Sequence, residues 1–476
     1  MSRPFFAFRI QNRKDIPLAE QLAEQLLTAL AHGACLQSAQ QLISLREMKK
    51  ISGCSLETVK KAYDMLVDQG WLTSVHGKGY FITQKLKNNV STSWEDALVS
   101  LQDSTPVPTT DFIRHLRQAF SDSFDSLGSS PDQVGERRCK IKETFIKHEK
   151  ERGVSISPKQ LFLFNRSLSG FHFLLQFFIR PGETVFVEEF SYPPFIKLLT
   201  QYGLKVRSIP LDEEGLSLPS LLEAHRQEQA NWLLIQPHHH FPTGISYSRK
   251  RKQELLQWAG TEGVSIIEND HHGDLWFNRP RRTLYQLNQQ AGEHASIYYI
   301  HSFSKTLARE LQLGLLAMPT KGPFTFEETQ QFFTLAGSEP SLLVLEAVAH
   351  MLEDSWLKKS FLPERRAQYA HHWQVLQQTA KHVLPSTATL HPIRGGLNCW
   401  VSWGEETTEA TRQELQLLEI LREEGLVLSP GHAFRLQTEA ATLRRPAVRF
   451  PLSPWGPREI QHWISRLGAA ILRCTK

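Results

Sequence analysis

The chain predicts an α/β protein in two parts: a small helical module ending in a β-hairpin over residues 1–83, and a large body built on a parallel-rich sheet with helices on both faces. Two observations predict it. The apolar strand candidates Leu161 to Phe164, Thr184 to Val187, Trp232 to Ile235, Val264 to Ile267 and Ile297 to Ile300 alternate with stretches of helical spacing, and that alternation implies a parallel sheet covered on both faces. Ahead of them, the first eighty residues carry two helix-start signals, a glycine break and a glycine turn between short β-prone runs. Residues 84–108, polar and proline-containing, read as a linker.

With 476 residues the chain exceeds one hydrophobic core, and about 150 residues per domain gives roughly three units. Hydrophobic residues make up 41% and charged residues 22%, without any run of about 18 apolar residues, which excludes a helical membrane protein. The N-terminus passes at once from Phe5 and Phe6 to Arg9, Arg13 and Lys14, so no signal peptide is expected and the cytoplasm is the expected location. Cys35, Cys54, Cys139, Cys399 and Cys474 lack C-x-x-C pairing, which argues against a disulfide framework and a zinc module. Net charge is only +5, so a nucleic-acid surface has to be local; residues 1–83 hold ten Lys and Arg against seven Asp and Glu.

Leu18, Leu22, Leu26, Leu27 and Leu30 recur at helical spacing before Gly33 and give the first helix. Ser44 and Glu47 form a capping-box signature that starts a second helix near Leu45. Gly53 breaks it, and Ser55 caps a third, with Val59, Ala62, Tyr63 and Leu66 on one face and Thr58, Lys60 and Lys61 on the other. His76-Gly-Lys-Gly79 is a tight turn between two strands. The pattern fits a helix-turn-helix for the major groove followed by a wing whose tip, Lys78, enters a minor groove; it fits equally a small helical domain with solvated lysines. Leu42 to Met48, Ser55 to Tyr63 and Gly70 to Phe81 resemble the winged-helix domain of GntR regulators over nearly all of the first 83 residues. The resemblance implies double-stranded DNA as a partner and puts Arg46, Ser55, Thr58, Lys60, Lys61, Lys78 and Gly79 at DNA-contacting positions. Ile43 stands where that family usually has proline.

In parallel sheets ligands sit at the carboxyl ends of the strands, and there lie Ser167, Tyr192, His238 to His240, Asn269 to His272, and Lys305. The run from His301 to Leu307 closes a buried strand with a lysine able to form an imine and with hydroxyls (Ser302, Ser304, Thr306) able to hold a phosphate, which suggests pyridoxal phosphate; a strand-end lysine is otherwise a solvated cation. His238, His239, His240, His271 and His272 raise zinc, but no carboxylate or cysteine spacing supports a metal.

Arg180 to Pro193, Pro242 to Gly244, Ile267 to Leu275 and Ser302 to Leu307 resemble the fold-type I aminotransferases, and with the winged helix the whole chain resembles the MocR subgroup of GntR regulators. The resemblance implies a winged helix-turn-helix plus an aminotransferase fold-type I effector domain over 109–476, with a large part about 150–345 and a smaller α+β C-terminal part about 346–476, in a homodimer. It implies that Lys305 forms the imine, Tyr192 stacks on the pyridine ring, Ser167 and Ser302 face the phosphate, and Arg449 meets the carboxylate of a substrate or effector.

The site departs from that pattern. Asn269 replaces the aspartate that keeps the ring nitrogen protonated, and Asp270 falls on the wrong side of an alternating strand to substitute for it. Gln312 replaces the phosphate arginine, a loss of about 1.5–3 kcal/mol of charge-assisted hydrogen bonding. Arg166 enters the phosphate loop, where it restores charge or fills the space. Phe241 stands for asparagine or tyrosine, His272 for the tyrosine near the ring oxygen, and Ser130 for a tyrosine from the neighbouring subunit. The expectation is a DNA-binding transcription regulator, without catalytic residues in use, whose body binds pyridoxal phosphate or a small amino compound weakly. The alternatives are a dimerisation scaffold that has lost the cofactor and a pyridoxal-phosphate-dependent aminotransferase.

Overall fold

The computed structural model describes residues 17–31, 40–83, 108–125, 130–337, 339–436, 443–453 and 455–474, with isolated positions 8, 10, 35, 86 and 106. Most of the stretch read as a linker, 84–108, lies outside the described residues.

The module consists of α1 (Leu18–Ala31), α2 (Leu45–Ser52), α3 (Leu56–Asp68) and the hairpin β1 (Leu72–Val75) with β2 (Gly79–Ile82). Ser44 and Ser55 cap α2 and α3 by accepting from the amides of Glu47 at 3.2 Å and Thr58 at 3.0 Å. Gly53 turns the chain between the helices at a φ of 71°, a left-handed conformation that a side chain would strain. Leucines of α1, the apolar face of α3, Trp71 and Leu72 close one core, and Leu415 of the body joins it.

The body is a seven-stranded sheet of β3 (Leu161–Phe164), β4 (Thr184–Glu188), β5 (Lys205–Ile209), β6 (Trp232–Ile235), β7 (Ser265–Asp270), β8 (Ile297–Ser302) and β9 (Gly314–Ala317), ordered β3-β9-β8-β7-β6-β4-β5. β9 runs antiparallel to both its neighbours; the other pairings are parallel. Successive side chains divide between two cores, with Val185, Ile267 and Ile300 on one face and Phe186, Ile266 and Ile297 on the other. α4 (Pro131–Glu151) and α5 (Ser167–Phe177) serve the site. Helix Leu342–Glu353, which spans the division read near 345, packs against Thr110–Phe124 and α4.

A second sheet, β10 (Ala388–Leu390), β11 (Asn398–Trp403), β12 (Ser429–Pro430) and β13 (Ala447–Pro451), is antiparallel in the order β10-β11-β13-β12 and carries α6 (Ala410–Glu423). α1 of the module packs on α6. Gln21, Glu24 and Gln25 of α1 are buried, and Glu24 lies beside Arg412 and Arg444; burial pushes its carboxyl up to about 8 against the pull of those guanidinium groups. No described helix is long and apolar enough to cross a membrane.

Candidate functional site

The residues expected at DNA lie on α2, α3 and the wing. Arg46, Ser55, Lys60, Lys61, Lys78 and Gly79 are exposed; Thr58 is half-buried, its hydroxyl 2.8 Å from that of Ser55. Arg46, Leu56, Lys78 and Gly79 line one concave surface between helix and wing. The wing is fixed from both sides: the Gln41 amide donates to the Lys78 carbonyl at 2.7 Å, and the Tyr80 hydroxyl donates to Asp64 of α3 at 2.8 Å.

At the carboxyl edge of the large sheet, Lys305 follows β8. Burial, with Arg449 and Arg309 nearby, brings its ammonium down to about 7, so free amine is available at neutral pH. Tyr192 lies within electrostatic reach of Arg309 and Arg166 and meets Phe241 edge-on at 5.8 Å. Phe241 continues into an aromatic wall with Phe434, Trp400 and Phe190. Arg449 of β13 is fully buried, donates to Asn398 Oδ1 and Ser429 Oγ at 3.0 Å each, and lies 5.6 Å from the Phe241 ring centre.

Asn269 sits on the same face of β7 as Ile267, and its buried Oδ1 has no hydrogen-bond partner. His272 approaches the His239 carbonyl through Nδ1 at 3.3 Å and leaves Nε2 unpartnered; burial and the neighbouring His271 and Lys305 keep it neutral. Gln312 and Arg166 turn out to be partners: Arg166 Nε donates to Gln312 Oε1 at 3.0 Å. The chain permits this because Gln312 adopts a left-handed φ of 47° and Gly314, opening β9, presses on the start of α5; a Cβ there would stand 2.3 Å from the Ser167 amide nitrogen. A guanidinium therefore stands beside position 312.

One hydroxyl behaves differently from the sequence reading: Thr306 donates to Asp274 at 2.8 Å and is spent there. Ser302 Oγ accepts from the Ser304 amide at 3.4 Å, which leaves its own O–H to donate. Ser130 caps α4 in a reciprocal box with Gln133. The histidines are dispersed: His238 faces Asp270 at 3.1 Å, His239 faces Ser246 at 3.1 Å, and His240 faces Thr243 at 2.7 Å. No group of three or more metal-ligating side chains occurs among the described residues.

Sequence reasoning missed what lies under the sheet. Arg152, just beyond α4, binds Asp274 at 2.6 Å, Asp270 at 2.7 Å, Glu149 at 2.8 Å and the Tyr299 hydroxyl at 2.9 Å. Although burial opposes it, Arg152 holds both aspartates well below the usual carboxylate range. Against burial and Arg152, Glu149 and Asp274 raise His301 to about 9, so it is charged at neutral pH. Asp270 thus belongs to a closed ionic cluster on the far face and is not available to a ring on the Asn269 side. The cluster also fixes the turn after β7, since a Cβ on Gly273 would meet the Asp270 carboxylate at 2.3 Å.

A strand-end lysine, an aromatic wall and a cationic rim at the edge of this sheet define an aminotransferase-type body, here carried behind a winged helix. The chain belongs to the aminotransferase class I and II family, whose profile matches residues 106–449. It is 25% identical over 490 residues to the HTH-type transcriptional regulator YdcR of Escherichia coli K12, covering 95% of this chain and 98% of that one. It is 27% identical over 392 residues to the HTH-type pyridoxine biosynthesis transcriptional regulator PdxR of Corynebacterium glutamicum, covering 79% and 82%. Among solved structures it matches the kynurenine aminotransferase of Pyrococcus horikoshii with a TM-score of 0.68 at 19% identity, over 83% of this chain and 98% of that one, which shows the fold. A winged helix joined to an aminotransferase-family body is the organisation of the MocR-type regulators, and this chain is of that type.

Proposed function

We propose that the chain is a transcription regulator whose winged helix binds double-stranded DNA and whose body holds pyridoxal phosphate, or an amino compound bearing a carboxylate, as the signal that sets DNA binding. The observation that carries this reading is the combination of an exposed basic face on α2, α3 and the wing with a body that keeps Lys305 but surrounds it with neutral or cationic side chains. Pyridoxal phosphate supplies an aldehyde that condenses with an amine, releasing water. Lys305 presents that amine partly uncharged near pH 7. The unpartnered Asn269 Oδ1 fits a ring N–H but contributes no charge to keep the proton there, which favours holding the ring over turning substrates over. Tyr192 offers an aromatic face, Arg166 and the Ser167 amide at the start of α5 suit a phosphate, and Arg449 suits a carboxylate.

In a homodimer two winged helices read half-sites about 34 Å or a multiple apart, and a ligand acts only through unequal affinity for the arrangements that reach them. The test is a titration of the full-length protein with pyridoxal phosphate, followed by borohydride and peptide mapping. An absorbing adduct trapped on Lys305, and lost in a folded Lys305→Ala variant, is expected. A flat titration would leave the body as a scaffold, and sustained turnover of an amino donor with a keto acceptor would make it an enzyme.

A further inference from the structure

Glu414 of α6 is wholly buried and accepts from the His432 amide at 2.9 Å, from His432 Nδ1 at 2.7 Å, from the Ala447 amide at 2.9 Å and from both terminal nitrogens of Arg444. Against burial, Arg444 and His432 hold its carboxyl at about 2, so it is charged at neutral pH. Its donors lead to different places. His432 belongs to the short helix Gly431–Phe434; the Phe434 ring packs on Phe241 at 5.3 Å, and the Phe434 carbonyl accepts from the amide of Ser191, next to Tyr192, at 2.8 Å. Ala447 opens β13 two residues before Arg449. Glu24 of α1, buried where α1 packs on α6, lies within electrostatic reach of Arg444 and of Arg412, two residues before Glu414. The close approach is built into the backbone: a Cβ on Gly431 would stand 2.8 Å from Glu414 Oε1.

We propose that Glu414 is the joint through which the aromatic and cationic pocket and the docked winged helix sense each other, a regulation that rests on the sensing function proposed above. A charged carboxylate sealed from water cannot release one donor without leaving it unsatisfied, so the Gly431–Phe434 helix, the start of β13 and Arg444 shift together. Displacement of Phe434 or Arg449 by a ligand is thereby transmitted to the guanidinium under Glu24. Coupling of this kind is reciprocal, so freeing α1 alters the pocket as much as filling the pocket alters α1. Glu414 is a positioning residue here; it touches no ligand.

Hydrogen exchange on the full chain tests this. Glu24→Lys sets a third cation against Arg412 and Arg444 and should undock α1 without touching the pocket, whereas Glu24→Gln, which mimics the protonated side chain, should leave it docked. Glu24→Lys is expected to speed exchange in 18–31 and also in 431–436 by about ten-fold or more. In a Glu414→Gln background it should speed 18–31 alone. Faster exchange in 18–31 with 431–436 unchanged in the native background would overturn the coupling, and so would no change in either segment. Should Glu414→Gln not fold, the comparison of Glu24→Lys with Glu24→Gln decides by itself. A parallel titration with pyridoxal phosphate should show half-formation of the Lys305 adduct displaced by about three-fold or more in Glu24→Lys relative to Glu24→Gln. Absence of any adduct in the native protein would remove the cofactor reading while leaving the exchange result to judge the joint.

Discussion

At the scale of single residues, the pair Arg166 and Gln312 shows how the fold brings a guanidinium to a position where the sequence carries none. Gln312 was readable as a departure from the aminotransferase pattern, but its partner was not, because the two stand 146 residues apart and meet only where β9 turns back beside α5. The glutamine amide orients Arg166 without neutralising it, which leaves the guanidinium free to pair with an anion. Arg166→Ala should raise the pyridoxal phosphate concentration for half-formation of the Lys305 adduct about ten-fold, about 1.4 kcal/mol, and leave pyridoxal, which lacks the phosphate, nearly unaffected. Equal losses for both ligands would place Arg166 elsewhere in the site. That Asn269 and Asp270 face opposite sides of β7 was legible from strand alternation, whereas the cluster around Arg152 was hidden because its members are scattered from Glu149 to His301.

Among elements, the five strands with mostly apolar runs were legible, because burial on both faces leaves few polar positions to blur them. β5 was not: its sequence Lys-Val-Arg-Ser-Ile is that of a partly exposed edge strand. β9 was short and begins on glycine, so nothing set it apart from a loop. The packing of α1 on α6 carries its own pH signature. Glu24, ordinarily near 4.5, is raised to about 8 by burial, so the docked state holds a proton that the undocked state releases between those values. Docking is therefore strongest below about pH 4.5 and weakens as pH rises through about 8. Exchange of 18–31, corrected for its intrinsic pH dependence, should accelerate across that window in the native chain and stay level in Glu24→Gln; indistinguishable profiles would mean that Glu24 remains hydrated.

For the whole molecule, a net charge of +5 says little, and the basic face of the module carries the argument for DNA. Binding to a fluorescent duplex should fall with salt, and Arg46→Ala or Lys60→Ala should each reduce the slope of log affinity against log salt by about 1. Unchanged affinity and slope in both would remove that face from the DNA interface. The contact between α1 and α6 also imposes an order of events during synthesis. The ribosome completes the winged helix at Ile82 but reaches α6 only at residue 410, and at about 5–20 residues per second the interval is roughly 15–65 s. A newborn winged helix thus emerges well before the surface on which α1 packs exists, and for that interval the proposed control through that contact has nothing to act with.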